Sequence, residues 1–117
     1  MCYLISYWKQ KLYFLKTEHP RFEKIPKPLE VAEKNDVVMS FRIFGIPKPT
    51  IHIMKDDLDF PTDDRVMIQH EEKELVITVK DTTRADTGKY KIIIKNDLGE
   101  ADASVDVLIY GMFLLIL

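Results

Sequence analysis

Three histidines, His19, His52 and His70, have the widest chemical reach in this 117-residue chain. Zinc sites draw their ligands from closely spaced pairs. These three share no such spacing, and the strand pattern puts them on separate elements. The serines, at 6, 40 and 104, lie in no G-x-S-x-G elbow and have no partner His or Asp at a suggestive spacing. Gly45, Gly88 and Gly99 are isolated, so no phosphate-cradling loop is written here. Asp56, Asp57, Asp59, Asp63 and Asp64 form an acidic run. A calcium loop needs alternating oxygen ligands, a central Gly and a closing Glu. This run has Phe60-Pro61 in its middle, and it reads as a solvated loop. The expectation is a chain that is not an enzyme, with no catalytic, metal or cofactor-binding residues, no cofactor and no small-molecule substrate. A net charge of −2 and a pI near 5.9 argue against a nucleic-acid partner.

The informative spacing lies at residues 81–96, DTTRADTGKYKIIIKN. Tyr90, Ile92 and Ile94 fall on one face of an extended chain, and Lys89, Lys91 and Lys95 on the other. Alternation of this kind is the mark of a half-buried antiparallel strand. A turn through Asp86 and Gly88 precedes it.

The same period recurs along the chain. Val37, Met39, Phe41 and Ile43 form one inward set, with Ser40 and Arg42 outward. Ile51 and Ile53 form a second, Leu75, Ile77 and Val79 a third, and Ala103, Val105, Val107 and Ile109 the last. Residues 65–69 read as a further short strand. Pro20, Pro26 and Pro28 remove ladder donors, which places the first segment at a sheet edge. It reads as residues 22–24 continued, after a kink, by 29–33, with Leu29 and Val31 inward. Residues 97–100 read as a four-residue hairpin turn. Pairing Ile94 with Ala103 and Ile92 with Val105 then sets Lys95 against Asp102 and Lys91 against Asp106. Seven or eight short strands and no convincing helix predict an all-β sandwich over residues 20–110.

The flanks differ in character. Residues 1–19 read as an irregular tail or ragged end, and 111–117 as an apolar tail. The first lacks a basic start and a cleavage site, so it is a poor signal peptide. The last apolar run is too short for a span, which needs about 20 residues. The favoured reading of both is the ragged edge of a larger chain, the alternative a truncated membrane anchor. Cys2 is the single cysteine and lies outside the sandwich, which favours a reducing compartment.

With VVMSFRIFG, IPKPTIHIMKDD and ELVITVKDTTRADTGKYKIIIKNDLGEA in place, the chain resembles an immunoglobulin domain of the intermediate set, the kind strung along titin, twitchin and myosin-binding protein C. The resemblance implies two packed antiparallel sheets and a tyrosine corner at Tyr90, bonding back to the turn at 83–86. It implies a core pin of Cys, Trp and Cys at positions held here by Phe41, Ile53 and Ile92, so no disulfide forms. It also implies that Arg65 reaches Asp86 and closes one end of the core. The implied role is a structural and protein-interaction module of an intracellular, sarcomeric or cytoskeletal, multidomain protein. Its partners would be neighbouring domains and filament or scaffold proteins, with no membrane partner. The alternative is an extracellular adhesion or receptor domain at the cell surface.

Overall fold

The computed structural model describes residues 2–8, 11–60 and 63–111. Eleven strands follow in order: β1 (Cys2–Trp8), β2 (Lys11–Lys16), β3 (Glu18–Lys24), β4 (Leu29–Ala32), β5 (Val37–Ile46), β6 (Thr50–Lys55), β7 (Leu58–Asp59), β8 (Val66–Glu71), β9 (Glu74–Val79), β10 (Gly88–Asn96) and β11 (Gly99–Tyr110). One 3-10 turn, Arg84–Asp86, sits before β10. β3-β5-β9-β8 make one sheet and β4-β11-β10-β6-β7 the other.

The core follows from period-2 alternation. Along β5, Val37, Met39, Phe41 and Ile43 are buried while Val38, Ser40 and Arg42 are exposed. Leu75, Ile77 and Val79 on β9, Tyr90, Ile92 and Ile94 on β10, and Val105, Val107 and Ile109 on β11 complete the inner faces. Ile53 from β6 joins them, and Ile51 packs partly buried at the margin. Each fully buried aliphatic side chain contributes about 1.5–3 kcal/mol relative to exposure.

Four expectations need correcting. Residues 22–33 do not form one kinked edge strand. β3 pairs with β5, whereas β4 pairs with β11 in the opposite sheet. Pro26 and Pro28 lie between them; neither can donate to a ladder, so the chain leaves one sheet there and joins the other. The β4–β11 pair is also parallel, so the sheets are not wholly antiparallel.

The β10–β11 register is offset by two residues from the expected one. The turn is the two residues Asp97 and Leu98, which sets Asn96 against Gly99 and Ile92 against Ala103. An even offset keeps every side chain on its face. It changes the outer partners, however: Lys95 faces Glu100, Lys91 faces Ser104 and Lys89 faces Asp106.

Ahead of the sandwich, β1 and β2 pair antiparallel as a separate two-stranded sheet. Finally, the acidic run is not wholly a loop, since β7 folds back on β6. Asp56 and Asp57 make that reversal with φ of 50° and 66°. Left-handed geometry at both central residues is what a two-residue hairpin turn requires, and Asp tolerates it.

Candidate functional site

The sandwich has two poles. The chain enters at Glu18 beside the β5–β6, β8–β9 and β10–β11 turns. It leaves after Tyr110 beside the 3-10 turn and the β4–β5 turn. The C-terminal pole gathers most of the residues that the sequence singled out.

Asp86 is the hub there, only 6% exposed. Arg65 Nη1 donates to Asp86 Oδ2 at 3.1 Å and Nη2 to Oδ1 at 3.2 Å, a two-pronged contact. The Thr83 N–H donates to Oδ2 at 2.8 Å. Burial alone would push the Asp86 carboxyl up. The Arg65 and Thr83 hydrogen bonds, with the Arg65 and Lys55 charges, outweigh it and hold the group below its ordinary value. Arg65 is correspondingly raised, chiefly by its bond to Asp86.

The Tyr90 hydroxyl donates to the Asp86 carbonyl at 2.6 Å. Its ring is fully buried and meets Phe60 edge-on at 5.3 Å. Burial, with the Asp86 and Asp56 charges, raises the Tyr90 pKa, so the hydroxyl remains a donor across ordinary pH. Lys55 Nζ donates to the Ala85 carbonyl in the same turn.

Phe41, Ile53 and Ile92 lie in the core at 5% exposure or less, with Ile53 and Ile92 in register on adjacent strands. Phe41 also meets Phe22, their ring centroids 5.9 Å apart. Gly88 opens β10 against the Asp56 carboxylate, where an added Cβ would stand 2.6 Å from Oδ2. That carboxylate accepts the Lys89 N–H at 2.9 Å, and the Asp56 N–H donates to the Lys89 carbonyl. Five of the seven named residues therefore belong to this pole or the β10 strand that leaves it: Arg65, Asp86, Gly88, Tyr90 and Ile92.

The sequence reading passed over several contributors. Thr82 is buried, and its hydroxyl donates to the Asn35 carbonyl at 2.7 Å, tying the pole to the β4–β5 turn. At the N-terminal pole, Asn96 Nδ2 donates to the carbonyls of Glu18 and Pro47, while its Oδ1 accepts the Leu98 N–H. The signal for Asn96 was local: an Asn bonding the backbone two residues on is a common turn device. Nothing local marked Thr82, whose partner lies 47 residues away.

Among the described residues, no three His, Cys, Asp or Glu side chains converge as a metal site would require. His52 instead contacts Asp59 at 3.0 Å on the exposed β6–β7 edge.

The model of the Immunoglobulin I-set domain matches residues 20–109. The chain belongs to that family. Its relatives include the muscle M-line assembly protein unc-89 of Caenorhabditis elegans, 32% identical over 84 residues. That match takes in 70% of this chain and 1% of the relative. Human neogenin is 31% identical over 91 residues, 77% of this chain and 6% of the relative. The chain thus spans a small fraction of either protein. Among solved structures, titin M10 in complex with an obscurin-like 1 immunoglobulin domain superposes with a TM-score of 0.78 at 20% identity. The superposition covers 85% of this chain and all of that one. The domain is homologous to domains of muscle proteins.

Proposed function

We propose that this I-set domain is a non-catalytic, load-bearing and protein-binding bead of an intracellular filament-associated protein. The observation that carries the reading is the parallel pairing of β4 with β11, where Leu29 meets Val107 and Ala32 meets Tyr110. β4 lies near the start of the sandwich and β11 ends it. Pulling the two ends apart loads this ladder in shear, along the strands, so its hydrogen bonds resist together. The Glu33 N–H adds one more bond, to the Tyr110 carbonyl at 2.8 Å. A core filled by Phe41, Ile53 and Ile92 supports a reducing compartment, because its closure needs no oxidation. Titin M10, a structural neighbour, was solved with an obscurin-like 1 immunoglobulin domain. We take neighbouring sandwich domains of filament proteins as the partner class for this chain too.

The relation to neogenin favours a second reading, a receptor domain at the cell surface. Expressing the tagged chain in muscle cells separates the two. Striated labelling seen only after permeabilisation is expected. Labelling of intact cells would overturn the intracellular reading.

A further inference from the structure

His70 ends the row of β8 that begins with the half-buried Val66 and continues through the exposed Ile68. In register with Val79, Ile77 and Leu75 of β9, that row reads Val66, Ile68, His70. An imidazole therefore stands where two aliphatic side chains lead, at the N-terminal pole. Its Nε2 is buried and has no hydrogen-bond partner among the described residues.

The surroundings do not favour a second charge. β9 sets the buried Leu75 opposite the residue. The β5–β6 loop sets Lys48 there, whose Nζ donates to the His70 carbonyl at 3.4 Å. The nearby acids stand apart. Glu71 and Glu74 are exposed and oppose each other, one position along on the other face of the sheet. Glu72 is exposed in the turn. Burial first, then the Lys48 charge, hold the imidazole below the ordinary histidine value.

We propose that His70 and Lys48 form an acid-sensitive latch at the N-terminal pole: with the ring neutral, Lys48 holds the β5–β6 loop on β8, and protonation of the ring releases that loop. An imidazolium at this position leaves its buried Nε2–H without an acceptor among the described residues and faces a like charge. The exposed Lys48 bond is the contact that yields most easily. Its release frees one wall of the cleft lined by Phe44, Gly45, Ile46, Lys48, Glu72 and Lys73. The sign follows from linkage. A folded-state value below the unfolded one means that the unfolded chain takes up the proton first as pH falls. Stability from the neutral ring is complete above the unfolded value and declines as pH drops through it towards the folded one.

The test is an NMR titration of the histidine ring protons in the full chain, with amide exchange of Lys48, Glu72 and Lys73 followed in parallel. His70 should titrate below the ordinary value of ~6.5, and exchange at the three amides, divided by the intrinsic rate at each pH, should rise roughly tenfold with the same midpoint. His70→Gln should abolish that rise. Lys48→Gln should move the His70 midpoint upward. A His70 midpoint at or above ~6.5 would overturn the latch, as would loop exchange that ignores the midpoint. If His70→Gln fails to fold, the Lys48→Gln arm decides, and an unmoved midpoint there overturns the proposal as well.

Discussion

The two poles of the sandwich close by different means. At the C-terminal pole, the Asp86 carboxylate takes three hydrogen bonds and its carbonyl takes the Tyr90 hydroxyl. Thr82 and Asn35 bond across the neighbouring turns. At the N-terminal pole, one side chain, Asn96, ties three backbone groups together, while the buried His70 Nε2 lacks a partner among the described residues. A satisfied buried network adds stiffness; an unsatisfied buried polar atom costs free energy. The C-terminal pole should therefore be the rigid end of the domain and the N-terminal pole the yielding one.

The sharpest way to break this contrast is at Tyr90. Tyr90→Ala removes the ring and the bond together, and should cost ~3–5 kcal/mol in denaturant melts. Tyr90→Phe keeps the ring and strands the Asp86 carbonyl, at a cost of ~1–3 kcal/mol. A cost for Tyr90→Phe below that of Asn96→Ala would reverse the ranking of the poles.

Arg65 and Asp86 come next. Asp86 is nearly buried but the Arg65 side chain is 38% exposed, so solvent screens part of the attraction. A double-mutant cycle with Arg65→Ala and Asp86→Ala should give a coupling of ~1–2 kcal/mol, between the exposed and buried limits. The pH dependence has a fixed sign. With its folded value depressed, Asp86 contributes stability that is full above the unfolded Asp value of ~3.9 and is lost as pH falls through the folded one. Acid melts of Arg65→Ala should show a smaller loss over that window. An unchanged slope would mean that Arg65 does not set the Asp86 titration.

Gly88→Ala probes the same pole through the backbone. The added methyl must push the Asp56 carboxylate off the Lys89 N–H, costing ~1 kcal/mol for the displaced bond. Asp56→Ala should absorb much of that cost when combined with it. Strict additivity would show that the two residues do not share the space.

How much of this was legible follows from where the information sits. The inner faces of β5, β9, β10 and β11 were readable because alternation is a local property and one face of each strand is buried. The tyrosine corner at Tyr90 and the Arg65–Asp86 contact came from the family resemblance, carried by the local run at residues 81–96. The β4 crossover and the β10–β11 partners were not readable. The first depends on where a strand finds an edge, the second on whether a turn holds two residues or four. Asp56 was misread as loop solvent, because its role depends on a glycine 32 positions on that leaves room for it. His70 was weighed only as a metal ligand and set aside, because its missing partner is a property of packing.

The smallest expected effect is the most discriminating control. Lys89 neighbours Tyr90 on the same strand and faces Asp106 across the ladder. Its backbone N–H bonds to Asp56, and that bond survives any side-chain change. Its side chain lies on the outer face, where an ion pair contributes little after screening and lost rotamer freedom. Lys89→Ala should therefore shift stability by no more than ~0.5 kcal/mol, in contrast to the loss at position 90. Thermal melts at low and high salt check this, because a residual charge effect would fade with salt while a packing effect would persist. A salt-independent loss matching that of Tyr90→Phe would mean that position 89 takes part in closing the pole. The division of this strand into a buried, network-bearing face and an idle outer one would then fail.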